Sequence, residues 1–143
     1  MKGRNMIKNG LAPAARAGLA PAVVPNVLVV DDKESFARRL AREFKGAGFE
    51  AAAVFDGSEA LATLDAARPD LVVLDAGMQD GLECLRRMHA RSAPDTPPVL
   101  LLTGDPSPQV DAAALVYPGS FVLRRPRDYA AVVRAAEHLL ATA

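Results

Sequence analysis

"LVVLDAGMQDG", residues 71–81, runs four apolar residues into an aspartate and then into a turn of small and polar residues. "VLVVDD", residues 27–32, has the same shape and ends in two acids. Runs this short, apolar on both faces, read as strands buried from both sides, as in a parallel sheet covered by helices. Asp31, Asp32 and Asp75 then leave the carboxyl ends of two such strands. Charged groups rarely end buried strands without a partner, so these three carboxylates are read together as one site.

The rest of the chain repeats the alternation. Apolar runs sit at 27–31, 50–55, 70–74, 98–102 and 120–123, and helical stripes lie between them. Phe36, Leu40, Phe44 and Ala47 are spaced for one helix face, as are Ala60, Leu61, Leu64 and Ala67. Leu82, Leu85 and Met88 continue the pattern, and Val132, Val133, Ala136, Leu139 and Leu140 close it. Gly46 and Gly48 end the first helix, and Pro69 stops the second. Asp80, followed three residues later by Glu83, has the spacing of a capping box for the third. Pro106, Pro108 and Pro118 keep the fourth short, and Pro126 is placed to open the last. Five βα units with right-handed crossovers give an α/β doubly wound sheet. Ligands bind such sheets at the carboxyl ends of the strands, where the strand order reverses. Thr103 follows the fourth strand in "VLLLTG" and Arg125 follows the fifth in "FVLRRP", on the same rim as the three acids.

With 143 residues the chain is long enough to bury a core, and one cysteine, Cys84, excludes an internal disulfide. Lys+Arg and Asp+Glu both number 17. Residues 1–25 hold Lys2, Arg4, Lys8 and Arg16 and no acid, so the remainder carries 13 bases against 17 acids, a net −4. A nucleic-acid-binding domain normally shows the opposite balance. Residues 1–25, with "LAPA" at 11–14 and again at 19–22, lack a helix or strand period and read as a disordered basic arm before a domain at 26–143. Pro13, Arg16 and Pro21 interrupt the apolar stretch that a signal peptide needs. No apolar run is long enough to span a bilayer. The expectation is a cytoplasmic protein bound to neither membrane nor nucleic acid.

Three crowded carboxylates repel. At an effective dielectric near 20, two unit charges ~4 Å apart cost about 4 kcal/mol. A hard divalent ion, Mg²⁺, relieves this and keeps room for a phosphate. Asp75 is then a candidate nucleophile towards phosphorus, with Thr103 offering a hydroxyl and Arg125 a charge. Singly, Asp32 also fits a helix N-cap, Thr103 a structural strand end and Arg125 a solvated cluster with Arg124 and Arg127. His89, His138 and Cys84 have no ligand partners nearby in sequence.

Taken in order, "VLVVDD", "DGSEAL" (56–61), "RPDLVVLD" (68–75), "LLTG" and "RRP" resemble the receiver domain of bacterial two-component response regulators, over residues 27 to about 141. The resemblance implies a flavodoxin-like fold, a five-stranded parallel sheet of order 2-1-3-4-5 with five helices. It implies that Asp75 takes a phosphoryl group from a sensor histidine kinase or histidine phosphotransfer protein. Asp32 would hold Mg²⁺ directly, Asp31 mainly through water, and the Gly77 backbone carbonyl would be the third protein ligand. Thr103 would move inward on phosphorylation and alter the surface offered to a downstream protein. No sequence follows Ala143 for an output domain, so the expectation is a stand-alone receiver and not an enzyme.

Three positions depart from the family. The turn after Asp75 lacks the usual proline and is short, Arg125 stands for the usual lysine, and Val122 stands for the usual aromatic. Arginine is a longer planar fork than an ammonium, so that swap is not conservative. Together they support a second reading, a phosphorylation-independent pseudo-receiver that binds partners constitutively. A small-molecule phosphotransferase or phosphatase is a third. Such enzymes commonly carry an acid two residues after the nucleophile, where this chain has Gly77.

Overall fold

The computed structural model describes residues 24–92, 95–104, 107–124 and 128–142. The expected arm therefore lies, apart from its last two residues, outside the described residues, as do Pro106, Pro126, Arg127 and Arg125. Strands and helices alternate as β1 (Asn26–Val30), α1 (Glu34–Gly46), β2 (Glu50–Val54), α2 (Gly57–Ala67), β3 (Leu71–Asp75), α3 (Gly81–Ser92), β4 (Val99–Thr103), α4 (Pro108–Val116), β5 (Ser120–Arg124) and α5 (Tyr129–Thr142).

The helix ends follow local chemistry. In α1, Ala37, Leu40, Ala41 and Phe44 recur at helical spacing and are all buried, so one stripe faces the sheet. At α2 the Asp56 carboxylate accepts the Glu59 amide and the Glu59 carboxylate accepts the Phe55 amide, a reciprocal cap. Ser107 caps α4, with Pro108 in its first turn. The last helix starts later than its proline suggests. Asp128 accepts the Ala131 amide and α5 begins at Tyr129, because an Asp side chain satisfies an amide that proline merely omits.

All strand pairs are parallel and the order is β2-β1-β3-β4-β5. Side-chain alternation splits the apolar residues into two layers. On one face Leu28, Val30, Val72, Leu74 and Leu101 meet α2 and α3 through Leu64, Leu85 and Met88. On the other, Val27, Val29, Val73, Leu100 and Leu102 meet Leu40 and Phe44 of α1 and Val132 and Ala136 of α5. Phe36 packs on Tyr129 with ring centroids 5.4 Å apart, which sets the start of α5 against α1. Every residue of β3 and β4 is buried, whereas the edge strands β2 and β5 are half-exposed. The chain leaves β1 towards β2 and returns to β3, so the order reverses between β1 and β3. The carboxyl ends of these two strands form the crevice of the sheet.

A candidate phosphoacceptor site at the switch in strand order

Asp31 follows β1 directly, and its amide extends the ladder by donating to the Val54 carbonyl at 3.2 Å. Its carboxylate turns back to accept the Lys33 amide at 2.9 Å, and this closes the turn into α1. Asp32 is thereby left exposed at the rim and is not the N-cap, a position that Lys33 holds. Asp75 ends β3, paired in register with Leu102. Its Oδ1 accepts the Gly77 amide at 2.8 Å, and the turn closes through Met78 to the Asp75 carbonyl and Gly81 to the Met78 carbonyl.

Ligand oxygens of Asp31, Asp32 and Asp75 lie within 4.8 Å of one another. Asp31 and Asp75 are 1% and 2% exposed, so two of the three carboxylates are held out of bulk water. An octahedral Mg²⁺ with bonds near 2.1 Å spaces its oxygens by roughly 3–4 Å. The all-oxygen set therefore fits after a small contraction, for which the exposed Asp32 has room. Thr103 ends β4, is 5% exposed and pairs in register with Arg124. Arg125, the next residue, is outside the described set. Gly77 is exposed, and a Cβ there would come within 3.2 Å of Asp75 Oδ1.

One residue of this region escaped the sequence reading, and a second was read for a different role. The Lys33 ammonium stands 4.0 Å from Asp75 Oδ2. Its signal was its place directly after the acid pair, which a search for acids passes over. The other is Asp80. Its backbone carbonyl accepts the Cys84 amide, but its carboxylate crosses to the Gly57 amide at 3.1 Å, so it serves the start of α2. Glu83, its supposed capping partner, binds Arg86 and Arg87 on its own helix. Those guanidiniums hold its carboxyl down at about 2. Cys84 is buried beside them, and burial, with the Asp80 charge second, pushes its thiol up to about 11. It is therefore a protonated core residue at neutral pH. His89 ties α3 to the turn before β5, its ring nitrogens 3.2 Å from the Leu85 carbonyl and 3.0 Å from that of Pro118.

Residues 27–137 match the response regulator receiver domain. The chain is 35% identical over 115 residues to the DNA-binding response regulator MtrA of Mycolicibacterium smegmatis, covering 76% of this chain and 49% of that protein. It is 40% identical over 80 residues to the sensory transduction protein RegX3 of Mycobacterium bovis, covering 54% of this chain and 34% of that one. Among solved structures, the chemotaxis protein CheY4 of Vibrio cholerae superposes with a TM-score of 0.74 at 26% identity, covering 82% of this chain and 99% of that chain. A response regulator from Chloroflexus aurantiacus gives 0.71 at 26% identity, with 83% and 99% covered. The chain belongs to the response regulator receiver family. It spans about half the length of MtrA and about a third of RegX3.

Receiver domains are signalling modules of two-component systems, not classical enzymes. They bind Mg²⁺ at an acidic pocket, and response regulators interact with histidine kinases. Among the described residues no helix is long and apolar enough to cross a membrane.

Proposed function

We propose that this receiver accepts a phosphoryl group on Asp75 from the phosphohistidine of a sensor kinase or phosphotransfer protein, in the cytoplasm. The observation that carries the reading is the convergence of Asp31, Asp32 and Asp75 oxygens within 4.8 Å at the sheet crevice. Asp31 and Asp32, with Asp75 and the Gly77 carbonyl, hold Mg²⁺ in this reading. When bound, the ion supplies positive charge against the oxygens of the transferring group. An Asp75 carboxylate oxygen attacks phosphorus, an O–P bond forms as the P–N bond to the imidazole breaks, and the freed imidazole keeps the electron pair and takes a proton. The Thr103 hydroxyl and the Arg125 guanidinium meet the phosphoryl oxygens, the first by a hydrogen bond and the second by charge. The phosphorylated receiver then changes which protein it binds. DNA binding belongs to MtrA by its description and forms no part of this reading.

Incubation with a small phosphodonor and Mg²⁺, followed by intact mass spectrometry, tests this. The parent gains one phosphoryl group and Asp75→Asn gains none. A parent of unchanged mass would falsify the transfer reading. It would favour the constitutive pseudo-receiver, for which the specific observation is the Lys33 ammonium already placed beside Asp75 Oδ2.

A further inference from the structure

Lys33 is tied at its backbone and exposed along its side chain. Its amide is tied to Asp31 Oδ1 at 2.9 Å, and the residue sits at the N-cap of α1 with extended backbone angles. Its side chain is 67% exposed, yet the ammonium reaches to 4.0 Å from Asp75 Oδ2, on a carboxylate whose side chain is 3% exposed. The other oxygen, Oδ1, takes the Gly77 amide. The side chain of Lys33 therefore lies along the open, solvent side of the acidic pocket, facing the oxygen that the turn amide does not take. Among the described residues the ammonium pairs with Asp75 of β3, whose oxygens lie within 4.8 Å of those of Asp31 and Asp32 at the end of β1.

We propose that Lys33 is a positioning residue that serves as a built-in, displaceable counter-charge: its ammonium pairs electrostatically with Asp75 Oδ2 and must withdraw before a divalent cation takes that oxygen. This rests on reading the acidic rim as a Mg²⁺ site. The ammonium offsets part of the repulsion among the carboxylates, since two like charges ~4 Å apart cost about 4 kcal/mol at intermediate dielectric. The same charge opposes the arriving cation. Lysine suits the task because its ammonium sits on a flexible stem and is readily rehydrated. A pair 4.0 Å apart whose ammonium stays in solvent is weak, so the lysine yields to a doubly charged ion while still lowering that ion's affinity. Lys33 thus sets the cation concentration at which the receiver becomes competent.

The test is titration of the full chain with Mg²⁺, followed by backbone-amide NMR, for the parent, Lys33→Met, Lys33→Arg and Lys33→Glu, with Asp75→Asn as the site control. At low ionic strength Lys33→Met is expected to bind about three- to tenfold more tightly than the parent. Lys33→Glu binds more tightly again, Lys33→Arg stays near the parent, and added salt narrows the gap between parent and Lys33→Met. A loss of backbone order alone would not reproduce that order by charge or its salt dependence. Equal affinities for parent, Lys33→Met and Lys33→Glu, with binding lost in Asp75→Asn, overturn the role of Lys33 and leave the metal site standing. Parent and Lys33→Met both failing to bind, or Asp75→Asn binding like the parent, overturns the metal site and the proposal with it.

Discussion

Gly81 sits against the backbone that carries Asp75. A Cβ added there would lie 2.6 Å from the Asp75 carbonyl oxygen and 3.3 Å from the backbone of Ala76. Its obstacle is the close approach of two backbones, which no side-chain rotation relieves. Gly81→Ala is therefore expected to destabilise the protein by roughly 1–3 kcal/mol. Gly46, at the end of α1, has nothing within 4 Å of the corresponding position, so Gly46→Ala is expected to stabilise by about 0.4–1 kcal/mol through the unfolded chain. Urea denaturation of the two variants should show shifts of opposite sign, and a matching sign would defeat the argument. The sequence shows both glycines near helix ends. Only the packing tells that one is crowded and the other open.

Between β3 and α3 the chain takes a short turn without proline, and hydrogen bonds do the stiffening. The Gly77 amide holds Asp75 Oδ1, Met78 and Gly81 close the turn, and the Met78 side chain is 5% exposed in the layer beneath α2 and α3. Asp80 fastens the far end of the turn to α2 through the Gly57 amide, and a Cβ at Gly57 would come within 2.6 Å of that carboxylate. Asp80→Ala is expected to cost about 1 kcal/mol and to speed hydrogen exchange at the Gly57 amide, while Asp80→Asn keeps an acceptor and most of the protection. Unchanged Gly57 exchange in Asp80→Ala would remove this clasp from the account. The capping-box spacing of Asp80 and Glu83 located the start of α3 correctly but gave no hint of the clasp. The partner lies 23 residues back, and two arginines on the outer face of α3 draw Glu83 away.

Across the whole molecule the two apolar layers carry the stability and leave the rim open for chemistry. Leu101 is fully buried in the middle of β4, whereas Leu115 on α4 is 88% exposed. Leu101→Ala is expected to cost roughly 2–5 kcal/mol, and Leu115→Ala to change stability by no more than about 0.5 kcal/mol. Thermal and urea unfolding measure both, and comparable losses would mean that α4 is covered in solution. The sequence alone determined the strands, the order of elements, the two-sided core and the rim on which Asp31, Asp32, Asp75 and Thr103 fall. Those features follow from periodicity and from the direction of the chain at each strand end, which are local properties. Tertiary structure alone decided that the three acids come within 4.8 Å, that Lys33 reaches Asp75, and that Asp80 serves α2. Such contacts depend on how turns aim side chains across separate elements, and nothing in the spacing of residues along one chain encodes that aim.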